Sequence, residues 1–202
     1  MQGRIIAVVG APRTGKSYLV KKLADHYGAQ ALYEGEGDDF PERIKEDIAK
    51  NIRPLERVLW FRNKLTGQYR EAIEIKKSGG TVITDLAYFA VDPYVDVLTE
   101  DSFEREILHT LARSDEETLG MPDKIIHLIS NEQKIKEFIQ LGGREFDTGE
   151  NYYTEHVLPV EKVWREYLST RVDKSIVVEV NRADLDFEKQ SDFQDLLKRI
   201  AI

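Results

Sequence analysis

The sequence predicts an α/β fold in which a five-stranded parallel sheet carries helices on both faces. Short apolar runs of strand length alternate along the chain with amphipathic segments of helix length, which is the pattern of a doubly wound parallel sheet. The chain has 202 residues, of which 41% are hydrophobic, and this is enough for one sizeable core. We therefore expect residues 1–202 to form a single domain.

Five short runs are the candidate strands. They cover residues 4–9, 31–33, 81–84, 124–129 and 175–180. Most of them are rich in valine and isoleucine, as buried parallel strands are. The carboxyl ends of parallel strands meet at one edge of the sheet, so we expect the functional residues to follow these runs.

The segment after the first strand fits a phosphate-binding loop. Residues 10–17 match G-x-x-x-x-G-K-[ST], and a helical pattern begins at Ser17. Backbone N–H groups of such a loop hold phosphate oxygens, Lys16 is expected to reach the β- and γ-phosphates, and the Ser17 hydroxyl to bind Mg²⁺. The candidate nucleotide-binding residues are Gly10, Arg13, Thr14, Gly15, Lys16 and Ser17. A chance match in an ordinary strand–helix turn is the alternative.

Two carboxylates follow strands that end at the same edge as this loop. Asp85 comes directly after the third run, where an acid can hold Mg²⁺ or its waters; capping of the next helix is the other role considered. Glu34 follows the second run and is the candidate base toward an acceptor hydroxyl. Glu36, Asp38 and Asp39 are better explained as a solvated acidic turn.

An amphipathic helix is predicted between Pro54 and Gly79. Its apolar residues recur at three- and four-residue spacing and comprise Leu55, Val58, Leu59, Leu65, Tyr69 and Ile73. Arg62 falls within this stripe, and an inward guanidinium needs a carboxylate, a phosphate or a ligand. Two interpretations of Arg62 stay open, a substrate contact and a structural ion pair.

A glycine-rich segment near residues 140–150 predicts a lid. Gly142, Gly143 and Gly149 permit backbone conformations that a packed helix forbids. Arg144 could swing over the phosphates and neutralise charge during phosphoryl transfer. An exposed loop cation is the alternative for Arg144.

Taken in order, these segments resemble the deoxynucleoside kinases, P-loop enzymes related in fold to thymidylate kinase. The resemblance implies Mg-ATP-dependent phosphoryl transfer to the 5′-hydroxyl of a deoxynucleoside, with Glu34 as the base. Asp85 matches part of an Asp/Glu-Arg-Ser motif, and Trp60-Phe61-Arg62 lies in the family's aromatic-rich helix. Gly143-Arg144 matches its lid, and residues 177–187 match the loop that it folds over adenine.

The chain departs from this family mainly at the acceptor site. Leu86 stands where the family has an arginine that contacts the 5′-oxygen, and Gly142 where it has the first lid arginine. Arg62 replaces a glutamine that reads the base, and Asn51 a tyrosine that binds the sugar 3′-hydroxyl. Asp147 could still supply a sugar contact. The acceptor could therefore differ from a standard deoxynucleoside.

A small-molecule kinase that uses ATP and Mg²⁺ is the leading interpretation. The alternatives are a nucleoside-monophosphate kinase in which Arg62 grips the acceptor's phosphate, another P-loop small-molecule kinase, and a nucleotide-binding switch with little turnover. The resemblance also makes a homodimer possible.

Composition restricts the remaining partners. The net charge of −8 argues against binding to duplex nucleic acid. No apolar run approaches membrane-spanning length. Without cysteine the chain forms no disulfide, which fits a cytoplasmic protein.

Overall fold

The computed structural model describes residues 3–35, 40–142 and 151–200. Within them, five strands form one parallel sheet in the order β2-β3-β1-β4-β5. The strands are β1 (Arg4–Gly10), β2 (Gln30–Leu32), β3 (Thr81–Asp85), β4 (Lys124–Ile129) and β5 (Val177–Asn181). The predicted fold class is confirmed.

Helices connect and cover the strands. They are α1 (Lys16–Tyr27), α2 (Glu42–Lys50), α3 (Pro54–Lys77), α4 (Val91–Leu98), α5 (Ser102–Leu119), α6 (Glu132–Gly142), α7 (Leu158–Arg171) and α8 (Gln190–Ile200). Short 3₁₀ turns cover Tyr88–Ala90 and Lys174–Ile176, and a π-helical turn covers Tyr153–Val157. In the described part of the chain, no helix combines the length and apolar character that a membrane span needs.

The strand boundaries differ from the predicted ones at β5. The sequence predicts a strand from residue 175, whereas β5 begins at Val177. The Asp173 side chain accepts a hydrogen bond of 2.9 Å from the Ser175 N–H and so caps the 3₁₀ turn that precedes the strand. Local capping by an aspartate therefore delays the strand by two residues.

The register of β1 positions the predicted site. β1 lies between β3 and β4, with Val8 opposite Asp85 and Gly10 opposite Leu128. β1 is thus the central strand, with β3 and β2 on one side and β4 and β5 on the other. In open α/β sheets, ligands bind beyond the carboxyl ends of the strands, where the strand order reverses. The loop after Gly10 begins there.

The core has two parts, one on each face of the sheet. On the aliphatic face, α1 and α8 pack on the sheet through Leu19, Val20, Leu23, Phe193, Leu196 and Ile200. On the aromatic face, α3, α4, α5 and α7 pack on the opposite side together with the 3₁₀ turn, with Tyr69, Tyr88, Phe89, Trp164 and Tyr167 among the buried residues. The alternation of β1 side chains explains the division, since Ile6 and Val8 join the first part and Ile5, Ala7 and Val9 the second.

Candidate active site

The phosphate-binding loop has the backbone that its glycines permit. Gly10 has a φ of 140° and Gly15 a φ of 85°, both in the region that side chains disfavour. A Cβ at Gly10 would lie 2.2 Å from the Leu128 carbonyl oxygen, so only glycine fits between β1 and β4. Gly15 is the N-cap of α1 in the left-handed conformation. Arg13 also has a positive φ, of 64°.

Two side chains bond inside the loop. The Thr14 hydroxyl donates to the Ala11 carbonyl oxygen at 2.9 Å, and Thr14 is buried. The Lys16 ammonium donates to the same oxygen at 3.1 Å. The Ala11 carbonyl thus accepts hydrogen bonds from both Thr14 and Lys16, the lysine predicted to bind the phosphates.

Asp85 lies beside the first turn of α1. It is the last residue of β3, is buried, and accepts a hydrogen bond from the Ser17 hydroxyl through Oδ2. Its other oxygen, Oδ1, is buried and has no hydrogen-bond partner among the described residues. Asp85 caps no helix, because the following 3₁₀ turn has Ala87 as its N-cap without a side-chain hydrogen bond.

The Ser17–Asp85 pair fits the chemistry of a magnesium site. Mg²⁺ prefers oxygen ligands, keeps several waters and needs only one or two protein groups beside nucleotide phosphates. A hydroxyl and a buried carboxylate oxygen meet that requirement. Across the described ranges no group of three or more His, Asp or Glu residues is arranged for a metal ion, so any larger protein cage is absent there.

Glu34 lies near the same end of the sheet. It follows β2 and is half-buried. Burial raises the pKa of the Tyr94 hydroxyl, and the negative charge of Glu34 raises it further, with a smaller contribution from Asp85. The charges of both candidate carboxylates, Glu34 and Asp85, therefore raise the pKa of the same tyrosine of α4.

Arg62 forms an ion pair. Its Nε donates to Asp115 Oδ2 and its Nη2 to Asp115 Oδ1, both at 2.7 Å. The pair joins α3 to α5, with the side chains 21% and 7% exposed. Of the two interpretations that the sequence leaves open, the structure contains the ion pair; a substrate contact of Arg62 stays a prediction.

Two of the positions at which this chain departs from the deoxynucleoside kinases, Leu86 and Asn51, contact other residues of the chain. Leu86 is buried in the core of the aromatic face, at a φ of 65°, an uncommon conformation for a branched residue. Asn51 ends α2 at a φ of 49°, and its side-chain oxygen accepts a 3.1 Å hydrogen bond from buried Arg57. Leu86 therefore faces the core rather than a ligand.

An aromatic cluster joins Phe40, which precedes α2, to Trp60 and Phe61 of α3. The ring of Phe40 lies 5.2 Å from that of Trp60 and 5.5 Å from that of Phe61. The Lys64 ammonium lies 5.2 Å from the Trp60 ring and 5.4 Å from the Phe40 ring, at cation–π distance. The aromatic-rich helix named in the sequence analysis thus uses its rings to anchor the chain before α2.

Arg182 is a residue that sequence reasoning missed. It follows β5, is buried, and lies against Gly15 of the loop. Burial lowers its pKa. The signal in the sequence was available: an arginine directly after a strand whose carboxyl end reaches the loop.

Some predicted residues fall outside the described part. Arg144 and Asp147 belong to residues 143–150, and Glu36, Asp38 and Asp39 to residues 36–39. Their predicted roles stay predictions.

A glycine-rich loop after the central strand, a serine–aspartate pair beside it and a parallel sheet define a P-loop nucleotide-binding protein. The chain belongs to the family described as "AAA domain", whose model matches residues 5–200. No curated protein matches it in sequence.

Solved structures of deoxyadenosine kinase from M. mycoides resemble this chain. The structure with bound dATP has a TM-score of 0.73 and 16% sequence identity, and the match covers 98% of this chain and 100% of that one. Those with the products dCMP and dCDP and with bound dCTP each have a TM-score of 0.72, 16% identity and 98% coverage of both chains. The chain therefore has a P-loop kinase fold of the deoxynucleoside kinase type, as the resemblance implied.

Proposed function

We propose that this chain is a kinase that uses Mg-ATP to phosphorylate the hydroxyl of a small molecule, namely the 5′-hydroxyl of a deoxynucleoside. The observation that carries the proposal is Asp85: one oxygen accepts from Ser17, and the other is buried without a partner in the described chain. A buried carboxylate oxygen of this kind needs a cation or a donor. The fold shared with deoxyadenosine kinases supports the class of acceptor.

The donor side is assigned to the loop. Its backbone N–H groups and the N-terminus of α1 would hold the phosphates. Lys16 would exchange the Ala11 carbonyl for phosphate oxygens. Ser17 and Asp85 would hold Mg²⁺, which when bound neutralises charge on the phosphates. Arg144 would add a further positive charge at the transferred group.

The acceptor side is assigned to Glu34. A carboxylate there would orient the acceptor hydroxyl and take its proton as the new O–P bond forms and the bond between the γ-phosphorus and the β–γ bridging oxygen breaks, with ADP as the leaving group. Burial keeps the Tyr94 hydroxyl protonated, and the charges of Glu34 and Asp85 raise its pKa further, so this hydroxyl is a hydrogen-bond donor in the field of both carboxylates. Asp147 would supply a sugar contact.

The engagement of Arg62 favours a neutral acceptor over a nucleoside monophosphate. Both donors that face Asp115 are used at 2.7 Å. An acceptor phosphate that bound at this Nε–Nη2 edge would have to displace that carboxylate and leave it buried without its partner, which is costly, and Nη1 already donates to Asn63 Oδ1 at 3.2 Å.

A panel of nucleosides, nucleotides and other hydroxyl compounds tests the proposal through ATP consumption. We expect turnover with at least one hydroxyl acceptor and none after Lys16→Ala, because this lysine supplies charge to the phosphates rather than packing to the core. Lys21→Ala removes the same charge from an exposed position of the same helix and should leave the rate unchanged. Tight Mg-ATP binding without turnover on any acceptor would instead indicate a nucleotide-dependent switch.

A further inference from the structure

Arg182 is a buried arginine behind the phosphate-binding loop. The residue is 4% exposed. Its backbone N–H donates to the Ile129 carbonyl at 2.8 Å, which continues the pairing of β5 with β4 by one residue. Its Nη1 donates to the Leu185 carbonyl at 3.0 Å. Backbone contacts on two sides therefore fix where the guanidinium lies.

Two aromatic rings lie within cation–π distance of this guanidinium. Its Cζ lies 3.7 Å from the centroid of the Phe187 ring and 5.2 Å from that of Phe138. It forms no ion pair with any residue that the structure describes, and an arginine keeps its charge even when burial lowers its pKa. A permanent positive charge is thus buried next to the loop, and the carboxylates of Asp186 and Glu188 oppose the burial effect on its pKa from beyond ion-pair distance.

The remaining edge of the guanidinium faces Gly15. Its Nε and Nη2 lie 3.6 Å and 3.9 Å from the position that a Cβ on Gly15 would take. Nε is buried and, within the three described ranges, has no hydrogen-bond partner. Arg182 therefore occupies the space behind the left-handed residue at which the loop turns into α1.

We propose that Arg182 is a positioning residue for the donor phosphates, acting through Gly15. Its guanidinium supports the loop from behind in the conformation that points the backbone N–H groups at the anion, and its charge adds to the positive field of the helix N-terminus. This inference rests on the proposed function. Phe138 extends the contact to α6, the helix that leads into the predicted lid.

Tripolyphosphate separates this role from a contact with the nucleotide base, since it carries the phosphates of ATP but neither sugar nor base. The dissociation constants of Mg-ATP and Mg-tripolyphosphate are measured by calorimetry for the full chain, Arg182→Met and Arg182→Lys, each well below its melting temperature. We expect Arg182→Met to weaken both ligands by the same factor, on the order of 10- to 100-fold, as displaced supports of a binding geometry do. Arg182→Lys keeps the charge but not the planar fork and should fall between.

Arg165→Met is the matched control. Arg165 lies on α7, half-exposed, and pairs with Glu161 and Glu179. Its removal should change neither dissociation constant. A lower melting temperature in Arg182→Met with both constants unchanged would mean that the arginine only stabilises the fold, and it would overturn the proposal.

Three further outcomes are decisive. Weaker ATP binding with unchanged tripolyphosphate binding would make Arg182 a base contact and overturn its action through Gly15. If Arg182→Met does not fold, Arg182→Lys decides, and wild-type affinity for tripolyphosphate in that variant refutes the positioning role. Failure of the unaltered chain to bind either ligand would instead remove the proposed function, and this inference with it.

Discussion

The two faces of the sheet are stabilised by different kinds of side chain. On the aliphatic face, α1 and α8 pack through leucine, valine, isoleucine and phenylalanine. On the aromatic face, buried tyrosines and a tryptophan pack among the aliphatic residues, and polar bonds run between helices. There Arg62 of α3 pairs with Asp115 of α5, and the Tyr167 hydroxyl of α7 donates to Glu116 at 2.5 Å.

The two regions also differ in how far apart in the sequence their contacting residues lie. The proposed donor site depends mainly on consecutive residues of the loop and on α1, together with Asp85 at the end of β3, and the aliphatic face holds α1 through apolar contacts that tolerate conservative change. The helices of the aromatic face are fixed by pairs such as Arg62–Asp115, which lie 53 residues apart in the chain. Directional polar pairs specify helix positions more narrowly than apolar contacts do. We therefore expect variants of the two faces to fail in different ways.

The largest expected effect is the loss of catalytic rate when the candidate base, Glu34, is replaced. Glu34→Gln should lower the phosphoryl-transfer rate on the order of 10²–10⁴-fold, the usual contribution of a positioned base. Mg-ATP affinity should not change, because the substitution leaves the phosphate-binding loop, Ser17 and Asp85 unaltered. Single-turnover rates and calorimetry measure the two quantities. Glu56→Gln, at an exposed position of α3, is the control, and an unaltered rate in Glu34→Gln would remove the base from this position.

The next effect tests whether Arg62 is structural. Arg62→Met keeps the volume of the stem but leaves Asp115 buried without its partner, which should cost about 3 kcal/mol of unfolding free energy. Urea unfolding measures this loss. In Arg62→Met/Asp115→Ala the cost should be less than the sum of the single changes, because no unpaired carboxylate remains. A sharp rise in acceptor KM with unchanged stability would contradict the structural role.

The sequence carries the donor site and little of the acceptor site. The P-loop is a contiguous motif with a strand before it and a helix after it, so its residues could be assigned without a structure. Asp85 could be assigned because it ends a buried run. The partner of Arg62 could not, since nothing local distinguishes Asp115 from the other acids of α5. Arg182 could be noticed as an arginine directly after a strand, but its contact with Gly15 could not be predicted, because that contact exists only once β5 lies beside β4.

Of the strands, β4 could be predicted to the residue and β5 only approximately. The run over Lys124–Ile129 is apolar except for Lys124 at its start and His127, and parallel strands buried on both sides have this pattern. At β5 the apolar run begins before the strand, because the Asp173 cap competes for the first residues. Periodicity therefore gave the existence of the strand, and side-chain capping decided its start.

A smaller effect is expected when the buried histidine of the aromatic face becomes protonated. Burial lowers the pKa of His127 to about 4, with nearby Arg165 contributing, and Glu179 Oε2 lies 3.5 Å from Nδ1. Between about 6.5 and 4 the unfolded chain takes up a proton that the folded chain does not. Stability is therefore complete above the unfolded pKa and falls as the pH falls toward the folded one.

Urea unfolding at two pH values measures this term. From pH 7.5 to pH 5 the unfolding free energy should fall by about 2 kcal/mol on account of His127. His127→Leu, whatever its own stability, should lack this part of the pH dependence. An identical pH profile in the variant would assign the loss to other groups.

The smallest effect concerns one hydroxyl of the aromatic face. Burial raises the pKa of Tyr88, with Glu116 and Asp115 contributing, so the hydroxyl stays protonated and donates to the Gly120 carbonyl at 2.8 Å. Tyr88→Phe removes this bond and keeps the ring against Tyr69, 4.8 Å away.

The expected loss is about 1 kcal/mol or less, because Gly120 is exposed and its carbonyl can bond to water instead. On the aliphatic face, Ile126→Val removes one methyl group and should cost a similar 0.5–1.5 kcal/mol, roughly. Urea unfolding measures both losses. A loss above about 3 kcal/mol in Tyr88→Phe would mean that its hydroxyl holds α5 in place, so that the polar bonds of this face act together rather than one by one.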